Sequence, residues 1–228
     1  MISPEVEQEM LAYYEERAEE YDELYTGQMP AIRTNAELYV QETGDISQIA
    51  SSFGYGHLID IACGTGFWAL RYAKNCDRFT FVDQSNSVLD ICKDRINQLD
   101  FQDKADFVQA NIFDITLKTN EYDCCFLGFL LSHFNSELEE DFFNKLSGAL
   151  KPSAQIMVVD SIWGRLRKEG RKKEGEQKRI LNDGRSFMIY KKYFEPSEIE
   201  ALCTKYRFDL LQLYTGEVFI AAVMQKVS

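Results

Sequence analysis

Two acids set around a glycine turn carry the clearest chemical signal in the chain. In His57-Leu-Ile-Asp-Ile-Ala-Cys-Gly-Thr-Gly66 an apolar run holds Asp60 near its end and then turns through Gly64 and Gly66. Without a Cβ, these glycines permit a tight turn and let backbone N–H groups come close to a bound ligand. A second apolar run, Arg78-Phe-Thr-Phe-Val-Asp83, ends in an acid that can accept hydrogen bonds from both hydroxyls of a ribose. The two together describe a nucleotide-binding corner between a strand and a helix. Gly64-Thr-Gly66-Phe-Trp-Ala69 also fits the G-x-G-x-x-A dinucleotide fingerprint, which keeps a nicotinamide-dependent oxidoreductase as an alternative. Asp60 favours a different ligand, because a strand buried on both faces is normally apolar and an acid there suits an ammonium group.

The stretch Leu58-Ile-Asp-Ile-Ala-Cys-Gly-Thr-Gly66 closely resembles motif I of the class I S-adenosylmethionine-dependent methyltransferases. The resemblance runs over roughly residues 10 to 226, with specific motifs in the first half. It implies S-adenosylmethionine as cofactor, S-adenosylhomocysteine as product, and a small-molecule acceptor with an O, N or C nucleophile. Ala105-Asp-Phe-Val-Gln-Ala-Asn-Ile-Phe-Asp114 matches the family segment that meets adenine. There Asn111 accepts from the amino group, the Ile112 N–H meets a ring nitrogen, and Ile112 and Phe113 give apolar contact. By the same resemblance Asp60 and the backbone at Leu127 and Gly128 receive the methionine ammonium, with Ala62 beside the glycine turn and Gln84 beside Asp83. Tyr13-Tyr-Glu-Glu-Arg-Ala-Glu-Glu-Tyr-Asp22 looks like the segment that many small-molecule members fold over the cofactor, so that Tyr14, Arg17 and Tyr21 touch its methionine part. A non-catalytic S-adenosylmethionine-binding module is the other alternative, and in it the acceptor pocket would be filled.

Methyl transfer needs alignment more than side-chain chemistry. A hydroxyl or protonated amine acceptor would use a base, and His133, in Phe129-Leu-Leu-Ser-His-Phe134, is the histidine expected at the carboxyl edge of the sheet. Tyr13, Trp163, Arg179 and Arg185 are the acceptor candidates. Guanidinium forks pair bidentately with anions, so Arg179 and Arg185, with Lys191, suit an anionic acceptor. Arg165 to Lys178 reads instead as a solvated basic lid.

These residues need a frame. Ser3 and Pro4 open a helix expected over 3–25, and a second helical stretch follows Pro30. Strands are then expected at 57–62, 78–83, 105–110, 122–128 and 155–160, with helices at 66–75, 86–98 and 136–150. That alternation predicts an α/β, Rossmann-like, doubly wound sheet. A helix from Pro196 and a hairpin turning at Thr215-Gly-Glu217 close the chain, and the family resemblance makes the last strand antiparallel. One unit, 1–228, is expected: a helical lid (1–52), a cofactor-binding core (53–161), a basic insertion after the fifth strand (162–194), and the last helix and hairpin (195–228).

Composition narrows the partners. A formal charge of −12 opposes binding to nucleic acid, and no apolar run is long enough to span a membrane. Trp163 to Lys192 nevertheless holds eleven Lys or Arg against four acids. The six cysteines form no C-x-x-C pair, so neither a disulfide framework nor a metal site is indicated. The opening residues lack the basic-then-apolar pattern of a secretory signal, which makes the cytoplasm the default expectation. The sequence does not fix an oligomeric state.

Overall fold

A computed structural model describes residues 2–227; Met1 and Ser228, the ends of the expected 1–228 unit, lie outside the described residues. Helix α1 (Pro4–Glu16) starts where the Ser3 hydroxyl accepts from the Val6 N–H and Pro4 fills a position that needs no donor. It stops well short of the expected residue 25. The chain turns at Arg17 through a single 3₁₀ turn (Ala18–Glu20) into the short α2 (Glu23–Thr26), which Gly27 closes at φ 72°. Tertiary bonds override the local helical preference here. The Asp22 carboxylate accepts from the Thr65 hydroxyl at 2.7 Å and from Arg95 at 2.6 Å, which draws this segment down onto the glycine corner. Helix α3 (Ala36–Ser51) follows a 3₁₀ turn after Pro30.

The alternating run then forms β1 (His57–Ile61), α4 (Ala69–Tyr72), β2 (Arg78–Asp83), α5 (Asn86–Gln98), β3 (Ala105–Gln109), β4 (Tyr122–Gly128), α6 (Ser136–Ala149) and β5 (Leu150–Ser161). Side chains of Ser85 and Asn135 cap α5 and α6, as local sequence dictates. Helix α4 covers only part of the expected 66–75, preceded by a bend and turn at 66–68 and followed by a 3₁₀ turn at 73–75. The basic insertion carries α7 (Arg165–Lys168) and an antiparallel hairpin, β6 (Glu174–Ile180) and β7 (Ser186–Lys192), so that a helical turn and the first strand occupy much of the stretch expected as a solvated lid. Helix α8 (Pro196–Tyr206), β8 (Phe208–Thr215) and β9 (Phe219–Lys226) complete the described chain.

Seven strands pair in the order β3-β2-β1-β4-β5-β9-β8. β1 to β5 run parallel, and β9 lies antiparallel between β5 and β8, as the resemblance implies. Both faces are covered. Ile59 and Ile61 pack toward Phe142, Phe143 and Leu146 of α6 and Ile199 and Leu202 of α8. Leu58 packs toward Ile46 of α3, Tyr72 of α4 and Cys92 of α5. The strand order reverses between β1 and β4, and in such a sheet the crevice beyond the carboxyl ends at the reversal is where ligands bind. The β6–β7 hairpin stands over this crevice with β7 against α1, joined by Tyr13–Phe187 ring contact and a Glu9 carboxylate accepting from the Met188 N–H.

Candidate functional site

A cavity of about 370 Å³ opens at the carboxyl ends of β1, β2 and β4. Its wall includes Tyr14, Tyr21, Ala62, Asp83, Gln84, Asn111, Ile112, Phe113, Gly128 and His133. The glycine corner is bent as the sequence suggests, with Gly64 at φ 53° and Gly66 at 71°. A Cβ on Gly64 would stand 3.0 Å from the Tyr21 ring, and one on Gly66 would stand 2.7 Å from the Cys92 sulfur. Of the six non-glycine residues with left-handed backbone among those described, two border the site, Ala62 after β1 at φ 57° and Phe129 after β4 at φ 58°. Each costs about 1–2 kcal/mol against a relaxed backbone, a strain that proteins keep mainly where a site requires it.

Asp83 is fixed from both sides. One carboxylate oxygen accepts from the Gly64 N–H at 2.9 Å and the other from the Ser85 N–H at 3.0 Å. Burial raises its pKa, opposed by those two N–H groups, and each oxygen keeps lone-pair capacity toward the cavity. Asp60 is 2% exposed; one oxygen accepts from the Tyr72 hydroxyl while the other has no partner. Burial pushes its pKa to about 7, although the Tyr72 bond pulls the other way. It lines a narrow recess beside the main cavity with Ala62, Trp68, Tyr21 and Gly128. Leu127 itself is fully buried in the sheet. Asn111 sits at the exposed rim, its oxygen accepting from the Phe113 N–H at 2.9 Å. Lys145 of α6 holds this loop by donating to the carbonyls of Ile112, Phe113 and Ile115. Sequence reasoning missed that residue, because nothing near Lys145 in sequence marks its reach.

His133 is 7% exposed and its tautomer follows from its partners. The Tyr190 carbonyl, 2.7 Å from Nδ1, can only accept, so Nδ1 carries the proton and Nε2 accepts from the Tyr14 hydroxyl at 2.6 Å. Burial first, then the charge of Lys191, holds the imidazole pKa well below its ordinary value. A neutral His133 thus connects with the cavity through the Tyr14 hydroxyl.

Tyr14, Tyr21 and Phe129 also border a second cavity of about 250 Å³ between α1, α2 and the hairpin. Tyr13, Arg17 and Arg179 line it, joined by Arg167, Arg171, Lys178, Lys191 and Tyr193. Arg167, which the sequence reads as part of a solvated lid, is 8% exposed, because its guanidinium lies over the Tyr193 ring and donates to the Val218 carbonyl. Trp163 stays outside this wall and stacks on Tyr193 with ring centroids 5.8 Å apart. Arg185 borders neither cavity; it pairs on the surface with Glu16 at 2.8 Å and Asp183 at 2.6 Å.

Residues 58–153 match a family model described as a methyltransferase domain. The match covers the middle of the chain, somewhat under half of its length. The matched segment runs from β1 to the start of β5 and includes every cofactor candidate outside the N-terminal segment. The chain is similar to a 2-phytyl-1,4-naphtoquinone methyltransferase of Nostoc sp., 29% identical over 105 residues, 45% of each chain. A demethylmenaquinone methyltransferase of Lactiplantibacillus plantarum is 23% identical over 108 residues, 46% of this chain and 45% of that one. The chain thus spans about half the length of the curated relatives it matches. Among solved structures, a DhpI-SAM-HEP complex superposes with a TM-score of 0.77 at 23% identity, covering 98% of this chain and 99% of the other. A DhpI-SAH complex gives 0.72 at 22%, covering 99% and 98%. The chain therefore shares the fold of these structures over nearly its whole length, from N-terminal helices to antiparallel last strand.

Proposed function

We propose that the protein transfers a methyl group from S-adenosylmethionine to a small-molecule acceptor and releases S-adenosylhomocysteine. The observation that carries this reading is the pairing of two cavities across Tyr14, Tyr21 and Phe129. The first has the donor set the cofactor requires. Asp83 takes the ribose hydroxyls, Asn111 and the Ile112 N–H take the adenine edge, and Ile112 and Phe113 take its face. The unpartnered Asp60 oxygen and the backbone at Gly128 suit the methionine ammonium, with Gly64 and Gly66 nearby for the carboxylate end. Arg17, whose guanidinium lies 5.2 Å from the Tyr21 ring centroid, joins Tyr14 and Tyr21 in covering the methionine part. Bound there, the cofactor supplies an already electrophilic methyl group.

The protein's own task is to align the acceptor and exclude water. The enclosing segment made by Tyr14, Tyr21 and the hairpin serves the second purpose. A non-catalytic binding module would fill its acceptor pocket, and the open second cavity supports an enzyme instead. His133 is the base candidate, reached through Tyr14: a proton entering the Tyr14 oxygen would require the Tyr14 proton to pass to Nε2. Burial and neighbouring cations oppose the resulting imidazolium, which makes the relay a weak base and suits the site to an acceptor that needs little deprotonation.

Calorimetric titration with S-adenosylmethionine, S-adenosylhomocysteine and NAD tests the reading. Micromolar binding of the first two without NAD is the expected outcome. Binding of NAD alone would replace the methyltransferase reading with the oxidoreductase one.

A further inference from the structure

Building on the methyl-transfer reading, we propose that the second cavity is an oxyanion site, and that the acceptor is a small organic acid whose carboxylate or phosphoryl group is gripped by Arg167, Arg179, Arg171 and Lys191. Six cationic side chains line this cavity and no carboxylate does, in a chain whose net charge is −12. Of the six, Lys191 alone has a carboxylate partner among the described residues, Asp160 at 3.3 Å. The four arginines meet neutral groups instead, Arg17 lying over the Tyr13 and Tyr21 rings. Arg171 and Arg179 both donate to the Tyr193 hydroxyl, at 3.1 and 3.3 Å, and Arg167 donates to the Val218 carbonyl at 3.3 Å.

Arg167 gives the second, independent indication. It is more than nine-tenths buried, yet its Nε–H has no partner. A buried guanidinium left short of both a counter-ion and a hydrogen bond destabilises the fold. A ligand anion in this cavity would remove both deficits. Basic residues that merely balanced an acidic body would stay solvated or pair with the abundant surface acids, as Arg185 does. Burial raises the Tyr193 phenol, but Arg179, Arg167, Arg171 and Lys191 overcome it and hold the pKa below its ordinary value, as a positive local field requires.

The test is titration of the purified protein with inorganic phosphate and, separately, with benzoate, each with S-adenosylmethionine titrated in parallel. The proposal expects saturable binding of at least one probe, weakened about tenfold in Arg179→Gln, with cofactor affinity unchanged. Phosphate alone would assign a phosphoryl acceptor and benzoate alone a carboxylate. Because Arg167 is buried, Arg167→Lys serves as the second variant; it keeps the charge, loses the fork and should weaken the same probe. Cofactor binding with no saturable anion binding, or anion binding indifferent to both variants, overturns the oxyanion site. Failure of cofactor binding in the same protein would instead overturn the methyl-transfer reading, which separates the two.

Discussion

Asp60 sets the fold against the ligand. Its carboxyl is buried, half-partnered and raised to about pH 7, so the folded state prefers it protonated. An acid whose folded pKa lies above its unfolded value destabilises the fold as pH rises between the two values. Asp60→Asn should therefore raise Tm relative to wild type at pH 8, while weakening S-adenosylmethionine about tenfold or more through loss of the ammonium partner. Thermal scans with and without cofactor would check both halves. A bound ammonium should also lower the Asp60 pKa and release a proton. The apparent binding enthalpy near neutral pH would then change with the ionisation enthalpy of the buffer. For His133, a pKa held well below 6.5 means that kcat/KM should lack an inflection near that value, while Tyr14→Phe and His133→Gln lower turnover and leave cofactor affinity within about threefold. An ordinary imidazole inflection in the pH profile would return His133 to a conventional base. Gly64, Gly66, Asp60 and Asp83 were legible because residue type and local spacing carry their signal. Arg167 was not, since its burial comes from Tyr193 and Val218, far from it in sequence.

Elements were legible to the extent that their pattern is local. Strands β1, β2 and β4 are nearly continuous apolar runs, as sheets covered on both faces require, and β2, β4 and α5 fall on the expected residues. The β6–β7 hairpin gave no such signal. In β6 only every second residue is partly covered, and those positions hold Gly175, Gln177 and Arg179. Charged or polar residues on both faces of a strand leave no hydrophobic period to read. The break after α1 was hidden for a related reason, because Asp22 acts through Thr65 and Arg95. Arg185 now belongs to the outer turn of the hairpin. Exposed pairs of this kind contribute little, so Arg185→Ala should leave the acceptor KM and Tm essentially unchanged. A several-fold rise in KM would bring this arginine back to the acceptor.

For the whole molecule, charge is divided between an acidic exterior and a cationic interior cavity. A cleft of one sign with low-dielectric walls focuses its field at the mouth, so acceptor affinity should fall as ionic strength rises and cofactor affinity should fall less. The order of assembly follows from the place of β9. A chain folding from its amino end can pair β1 to β5 before β9 exists, yet β9 must enter between β5 and β8, joining Gln155 to Gln225 and Ser161 to Phe219. Until then β5 offers a bare edge, a template for a second chain. Arg167 leans on the carbonyl of Val218, just before β9, so a chain with β9 undocked can hold its nucleotide corner while its cationic cavity stays unfinished. Anion binding would then report that the last strand has arrived, and cofactor binding would not.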